Sequence, residues 1–200
     1  MEGRHRMKTV SFCVAALWMA CPVSGQEQEL RLDAASTRVD WTLGDVLHTV
    51  HGTFKLKRGD IRFDPSTGKA SGELVVDATS GESGSGARDS RMHKNILESG
   101  KYPEIAFVPD KVLGNVSLQG DSEVQLHGSF TIHGGTHELT LAAKCHIDQQ
   151  RLTAVIEFSV PYQKWGMKNP STLFLRVDDT VKIGIHAYGR VMTTAAGASR

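Results

Sequence analysis

Five ionisable side chains crowd one short stretch, "GARDSRMHKNILESGKYPEIAF" (86–107): Arg88, Asp89, Arg91, His93 and Lys94. Four potential cations this close together could hold a phosphate or quinone head group. Asp89 and His93 stand four residues apart, which on a helix puts them on one face and allows a general base. A plainer reading uses the same residues structurally: Asp89 caps the helix start and Arg88 pairs with a strand carboxylate. Nucleophilic catalysis would need a base within reach of the nucleophile and a third, orienting group. Cys145 falls on an apolar strand face, where a thiol behaves as a small hydrophobe, and no catalytic residue is assigned. Metal chemistry is not indicated either. His48 and His51 face opposite sides of a straight strand, and His127 and His133 share a polar face. His133 and His137 flank a tight turn and could meet, but no carboxylate or cysteine joins them at ligand spacing.

The elements around this segment are strands. Val39, Trp41 and Leu43 alternate with Asp40 and Thr42, and the same period of two runs through residues 50–57. Gly59-Asp60 reads as a hairpin signal and "DPSTG" (64–68) as a turn. Val124, Leu126, Gly128, Phe130 and Ile132 form one face of a later strand, and Gly134-Gly135 turns it back. Leu139 to Ile147, Leu152 to Val160 and Val181 to Ala187 repeat the pattern. Short turns make neighbours antiparallel. Closing such a meander removes its two edges, so the expected class is all-β, a barrel of about eight strands. Two interruptions break it. "SGESGSGA" (80–87) reads as a flexible linker leading into a helix over Arg88–Glu98, with Met92, Ile96 and Leu97 on one face, stopped by Gly100 and Pro103. "PYQKWGMKNPS" (161–171) suits neither strand nor helix yet carries Tyr162 and Trp165.

Composition bounds the rest. Two hundred residues with a net charge of +1 imply one domain and no electrostatic footprint for nucleic acid. Arg4, Arg6 and Lys8, then "TVSFCVAALWMA" (9–20) and "VSGQ", read as a signal peptide over 1–25 cleaved after Gly25, with Met7 an equally good start. That run is too short to span a bilayer. Ala20-Cys21 allows a lipoprotein alternative. The mature chain, 26–192 plus a flexible tail 193–200, is expected in the periplasm or outside the cell. It keeps only Cys145 and so no internal disulfide.

The inward stripe mixes Trp41, Phe54, Phe63, Phe107, Phe130 and Phe158 with small residues such as Gly52, Gly128 and Ala154. Large facing small can pack solid or leave a tube, and the stripe alone leaves both open. The motifs are more specific. "GTFKLKRGDIRFD" (52–64), "RDSRMHKNILESGKYPEIAF" (88–107), "LHGSFTIHGGTHELTL" (126–141) and the ending "VPYQKWGMKNPS…VKIGIHAYG" occur in the order found in the YceI-like family. The chain resembles that family over about residues 29–190. It departs where Glu98-Ser99-Gly100-Lys101 replaces an acidic-aromatic step before Tyr102-Pro103. The resemblance implies a lipocalin-like barrel exported to the periplasm, holding a polyisoprenoid, quinone or fatty amide in its lumen, with no established enzyme activity and no cofactor.

On this reading the six large residues above line the lumen. Arg88, Met92, His93, Ile96, Tyr162 and Trp165 surround its mouth, although Trp165 could equally plug one end. The protein would be a lipid carrier, store or scavenger, alone or as a homodimer. An enzyme acting on a lipid head through Arg88, Asp89 and His93 is the alternative. An outer-membrane barrel is disfavoured by sparse aromatics and by a helix set between strands.

Overall fold

The computed structural model describes residues 26–44, 48–171 and 176–194. The expected signal segment, Cys21 and tail residues 195–200 lie outside them. Alternation becomes nine strands: β1 Gln28–Leu32, β2 Arg38–Gly44, β3 Thr49–Phe63, β4 Ala70–Glu82, β5 Glu104–Leu113, β6 Gly120–Ile132, β7 Gly135–Asp148, β8 Arg151–Val160 and β9 Val181–Thr193. All pairings are antiparallel, and β3–β4 and β1–β9 contacts close the sheet.

Nine segments fill eight wall positions. β1 pairs with residues 60–63 of β3 and 189–193 of β9, while β2 pairs with 49–55 and 182–186 of the same two strands. The two segments therefore lie end to end between one pair of neighbours. The turn joining them is tied by Asp33, whose Oδ1 accepts from the Ala35 N–H at 2.9 Å and whose Oδ2 accepts from Ser36 Oγ at 2.9 Å. These Ser36 and Ala35 bonds hold the Asp33 carboxyl below the usual carboxylate range.

Several local expectations are corrected. Gly59-Asp60 is not a hairpin but the interior of the continuous β3. Its glycine keeps a side chain out of the space filled by Leu32 and Leu74. The β6–β7 turn is built on His133 and Gly134, with φ of 51° and 75°, and Gly135 already pairs with Ile132. Residues 80–82 complete β4, and Gly86 begins the helix, so the expected linker is ordered and short.

That helix, α1 (Gly86–Arg91), continues as a π-helical turn, Met92–Ile96, with the Leu97 N–H donating to the Met92 carbonyl at 2.9 Å. The wider turn adds a residue, so Ile96 and Leu97 both come beneath Met92. Glu98, at φ 46°, ends the element, and its carbonyl accepts from the Lys101 and Tyr102 N–H groups. The stop is thus Glu98 rather than Gly100.

The barrel has two unlike ends. At one, short connections (64–69, 114–119, and the two-residue turn Gln149–Gln150) sit over a packed cluster of Ile147, Leu152, Ala154, Ala187 and Val191. The void left there is about 70 Å³. The other end carries the helical segment, the β6–β7 turn and the long 161–180 connection.

Candidate functional site

Beneath the helical segment the barrel is hollow. The cavity measures about 590 Å³, within the range of about 300–1,000 Å³ typical of small-molecule pockets. Strand alternation supplies its wall, with Trp41, Phe54, Phe107, Phe130 and Phe158 among the aromatic residues and Ile183 and Ile185 among the aliphatic ones. Phe63 is a correction: it points into the packed end, beside the small void. Phe130 and Phe158 meet edge to face, centroids 6.0 Å apart, a favourable aromatic geometry that stiffens the wall.

Met92, Ile96 and Leu97 close the cavity from above. The helical segment can cross β4 this closely because residue 81 is glycine; a Cβ there would collide with the Phe54 ring and Met92 Cε. Arg88 and Arg91 reach the cavity rim but are already engaged. Arg88 donates to Ser83 Oγ at 2.7 Å and to the Ser83 carbonyl at 3.0 Å, not to a strand carboxylate. Arg91 donates to the Pro170 carbonyl at 3.1 Å, linking the cap to the 161–171 loop.

His93 does not face the cavity. Its Nε2 lies 2.8 Å from the Gly81 carbonyl and its Nδ1 3.0 Å from Ser99 Oγ. A carbonyl only accepts, so Nε2 carries a proton and both ring nitrogens are occupied in holding the segment to β4. Asp89 instead accepts from the N–H and hydroxyl of Ser83. Asp89 and His93 thus serve separate partners, and the spacing that suggested a base does not produce one.

The 161–171 loop divides its aromatics. Tyr162 is on the cavity wall, but its hydroxyl donates to the Asp178 carbonyl at 2.6 Å and is turned away from any ligand. Burial, with Asp179 and Asp178 nearby, pushes that hydroxyl up to about 12. Trp165 lies behind the wall, stacked on His137 at 4.0 Å and tilted against Phe130 at 5.8 Å. It plugs the region where β7 and β8 part, for their pairing stops at Ala143 and Ile156. His133 turns away from His137 and packs against Tyr102 at 4.9 Å.

Other chemistry finds little support. Burial pushes the Cys145 thiol up, away from a reactive thiolate. Among the described residues no group of three or more His, Cys, Asp or Glu side chains is placed to hold a metal ion. The sequence pattern places Leu97 with Met92 and Ile96 on one helix face and Ala187 on the apolar face of its strand, and both reach the cavity wall; it gives no sign of Met167 as a buried wall residue or of Thr37 on that wall. Thr37 lay in a turn, and the period of two could not show which depth of the barrel each inward residue reached.

Comparison with known proteins agrees with this architecture. A family described as the YceI-like domain matches residues 30–188. Among curated relatives, a UPF0312 protein of Vibrio parahaemolyticus is 27% identical over 64% of this chain and 69% of its own. A UPF0312 protein of Pseudomonas putida is 28% identical over 66% and 71%. Among solved structures, Burkholderia cenocepacia BcnA superposes with a TM-score of 0.64 at 18% identity, covering 81% of this chain and 99% of its own. A polyisoprenoid binding domain from Saccharophagus degradans gives 0.62 at 14%, covering 82% and 98%. At these identities the structural likeness establishes the fold.

Proposed function

Because this chain belongs to the YceI-like domain family, and because its barrel is hollow under a helical cap, we propose that it binds a long apolar lipid of the isoprenoid class in the lumen, as a carrier, store or scavenger rather than an enzyme. The observation that carries this reading is the apolar cavity inside the barrel. Burial contributes about 25 cal/mol per Å² of apolar surface, so several isoprene units outweigh any one polar contact even after ordering costs. The polyisoprenoid-binding neighbour from Saccharophagus degradans supports the same ligand class. Flexible Met92 at the roof suits a chain that must slide in and adapt.

The expected leader over residues 1–25 supports export, with the mature protein working in the periplasm or beyond. Among the described residues no helix is long and apolar enough to cross a membrane. The test is direct. Purified protein is extracted with organic solvent and the extract analysed by mass spectrometry. A prenyl or similar long-chain lipid at near one equivalent is expected; a clean extract, together with failure to take up added prenyl alcohol or hydrocarbon, would reject the reading. N-terminal sequencing of protein recovered from the cell envelope checks cleavage after Gly25.

A further inference from the structure

The cavity wall contains polar side chains, and nearly all already have partners inside the protein. Thr37 donates to the Tyr188 carbonyl at 3.4 Å and accepts from the Tyr188 N–H at 3.2 Å. Tyr162 donates to the Asp178 carbonyl, and Arg88 and Arg91 to Ser83 and the Pro170 carbonyl. Trp41 differs. It is 6% exposed, and its indole Nε1 is buried with no hydrogen-bond partner among the described residues. A buried donor left unpaired is costly, so native proteins rarely tolerate one without a reason.

Its position is informative. Trp41 lines the lumen and also a second, polar pocket of about 560 Å³ on the flank of the barrel. Gly52, opposite Trp41 in the β2–β3 register, leaves the room: a Cβ there would collide with Cε2 and Cζ2 of the indole, the edge next to the N–H. The ring is therefore the partition between an oily lumen and a polar flank. That flank carries Asp40, Glu82 and Asp89 against Arg38, with Arg38 Nε bonded to Asp40 Oδ1 at 2.7 Å. Carboxylates outnumber cations beside the indole, an environment that repels a phosphate and accommodates a neutral group able both to donate and to accept.

We propose that Trp41 is a specificity-determining residue: the bound chain carries a neutral oxygen, hydroxyl or carbonyl, that accepts the indole N–H at this partition, and the acidic flank selects against a diphosphate head. This deepens the lipid-binding reading above and rests on it. The preference comes from one polar contact in a dry site, and the tail supplies the bulk of the affinity.

The experiment compares geranylgeraniol, the matching prenyl hydrocarbon without the hydroxyl, and geranylgeranyl diphosphate on delipidated full-length mature protein, by displacement of a fluorescent fatty probe. Wild type is expected to prefer the alcohol over the hydrocarbon by roughly fivefold to tenfold, the worth of one neutral hydrogen bond, and over the diphosphate by more. In Trp41→Phe the alcohol-to-hydrocarbon ratio falls to near one. In Asp40→Asn the diphosphate gains on the alcohol. Because Trp41→Phe could disturb the wall, an independent readout uses unmutated protein: the Trp41 indole ¹H–¹⁵N resonance shifts with the alcohol and much less with the hydrocarbon. Equal binding of alcohol and hydrocarbon to wild type, or a ratio that Trp41→Phe leaves unchanged, overturns the proposal; the N–H then finds its partner in the protein, as by turning to the nearby Glu82 carbonyl. Tighter binding of the diphosphate overturns it too. If none of the three binds, the lipid reading itself fails and takes this proposal with it, whereas hydrocarbon binding without discrimination removes this proposal alone.

Discussion

The two halves of the barrel are built from the same strands and filled in opposite ways. In the packed half the wall is continuous: β7 pairs with β8 from Ala143–Ile156 down to Asp148–Arg151, and β1 brings Leu30 and Leu32 against the inner cluster. In the hollow half the wall is spread. Above Ala143 and Ile156, β7 and β8 no longer pair, and the 161–171 loop fills the gap with Trp165. Between the pairs Thr53–Glu82 and Lys55–Asp77, residues 78–81 of β4 face only Phe54 of β3. Extra backbone at both places widens the circumference, and side chains of ordinary size then fail to meet at the axis. Hollowness here follows from interrupted pairing more than from small residues.

If that account is right, equal truncations should cost unequally. Ile147→Ala, in the packed half, is expected to lose about 3 kcal/mol of unfolding free energy, the range for an aliphatic side chain removed from a filled core. Ile183→Ala removes the same atoms from a wall that already borders empty space, so about 1 kcal/mol is expected. Urea unfolding of both variants measures the contrast; equal losses would mean that the open half is as tightly packed as the closed one.

Filling is the complementary perturbation. Ile183→Trp should occupy the lumen, lowering long-chain lipid affinity by roughly tenfold or more while changing stability by about 1 kcal/mol or less, since the added volume enters space rather than neighbours. Lipid displacement titrations read the first effect and thermal melts the second. A smaller effect is expected at the roof. Arg91→Ala deletes the hydrogen bond from the cap to the Pro170 carbonyl, so lipid release should quicken by about threefold, under the worth of a full hydrogen bond because the group is exposed. Stopped-flow release of a fluorescent fatty probe measures it.

Much of this architecture was legible in the chain. The inward residues of β6, β7, β8 and β9 are those the period of two identifies, because each strand has one oily and one wet face. Depth was not legible. Phe54 and Phe63 share a strand and a parity, yet one lines the cavity and the other the packed end; alternation reports which side a residue faces, not how far along the axis it lies. The cap shows another limit. Its ionisable residues suggested head-group chemistry, but partners distant in sequence or supplied by backbone, Gly81 for His93 and Pro170 for Arg91, assign them to holding the lid. Backbone acceptors leave no mark in a residue pattern. Trp41 was visible as a large inward residue, while its orphan N–H emerges only from a full account of partners around it.

The halves should also respond differently to acid. Asp64 stands in a turn at the packed end and Asp33 in the turn between β1 and β2 midway along the wall, and side-chain and backbone hydrogen bonds from Ser66 and Ser36 chiefly hold both carboxyls below the usual range. On the outer wall Glu104 is lowered as well, by Lys57 and Arg58. A depressed folded-state value means that the stabilisation is fully present above the unfolded value, about 3.9–4.3 for these groups, and is lost as pH falls through the folded one. Stability should therefore be insensitive to these groups at neutral pH and decline below about pH 4, with the Asp33 and Asp64 carboxyl resonances titrating below the ordinary aspartate midpoint. The lumen behaves otherwise, because the described residues lining it include no Asp, Glu, His or Lys, and Tyr162 is pushed up to about 12. Affinity for an uncharged prenyl alcohol should then stay within about twofold from roughly pH 5 to pH 9, a window in which no described wall group changes charge. A bell-shaped or sloping affinity inside that window would place the ligand's polar end deeper in the flank pocket, against His51 and its acidic neighbours, and would shift the boundary between the dry and the wet halves of the site.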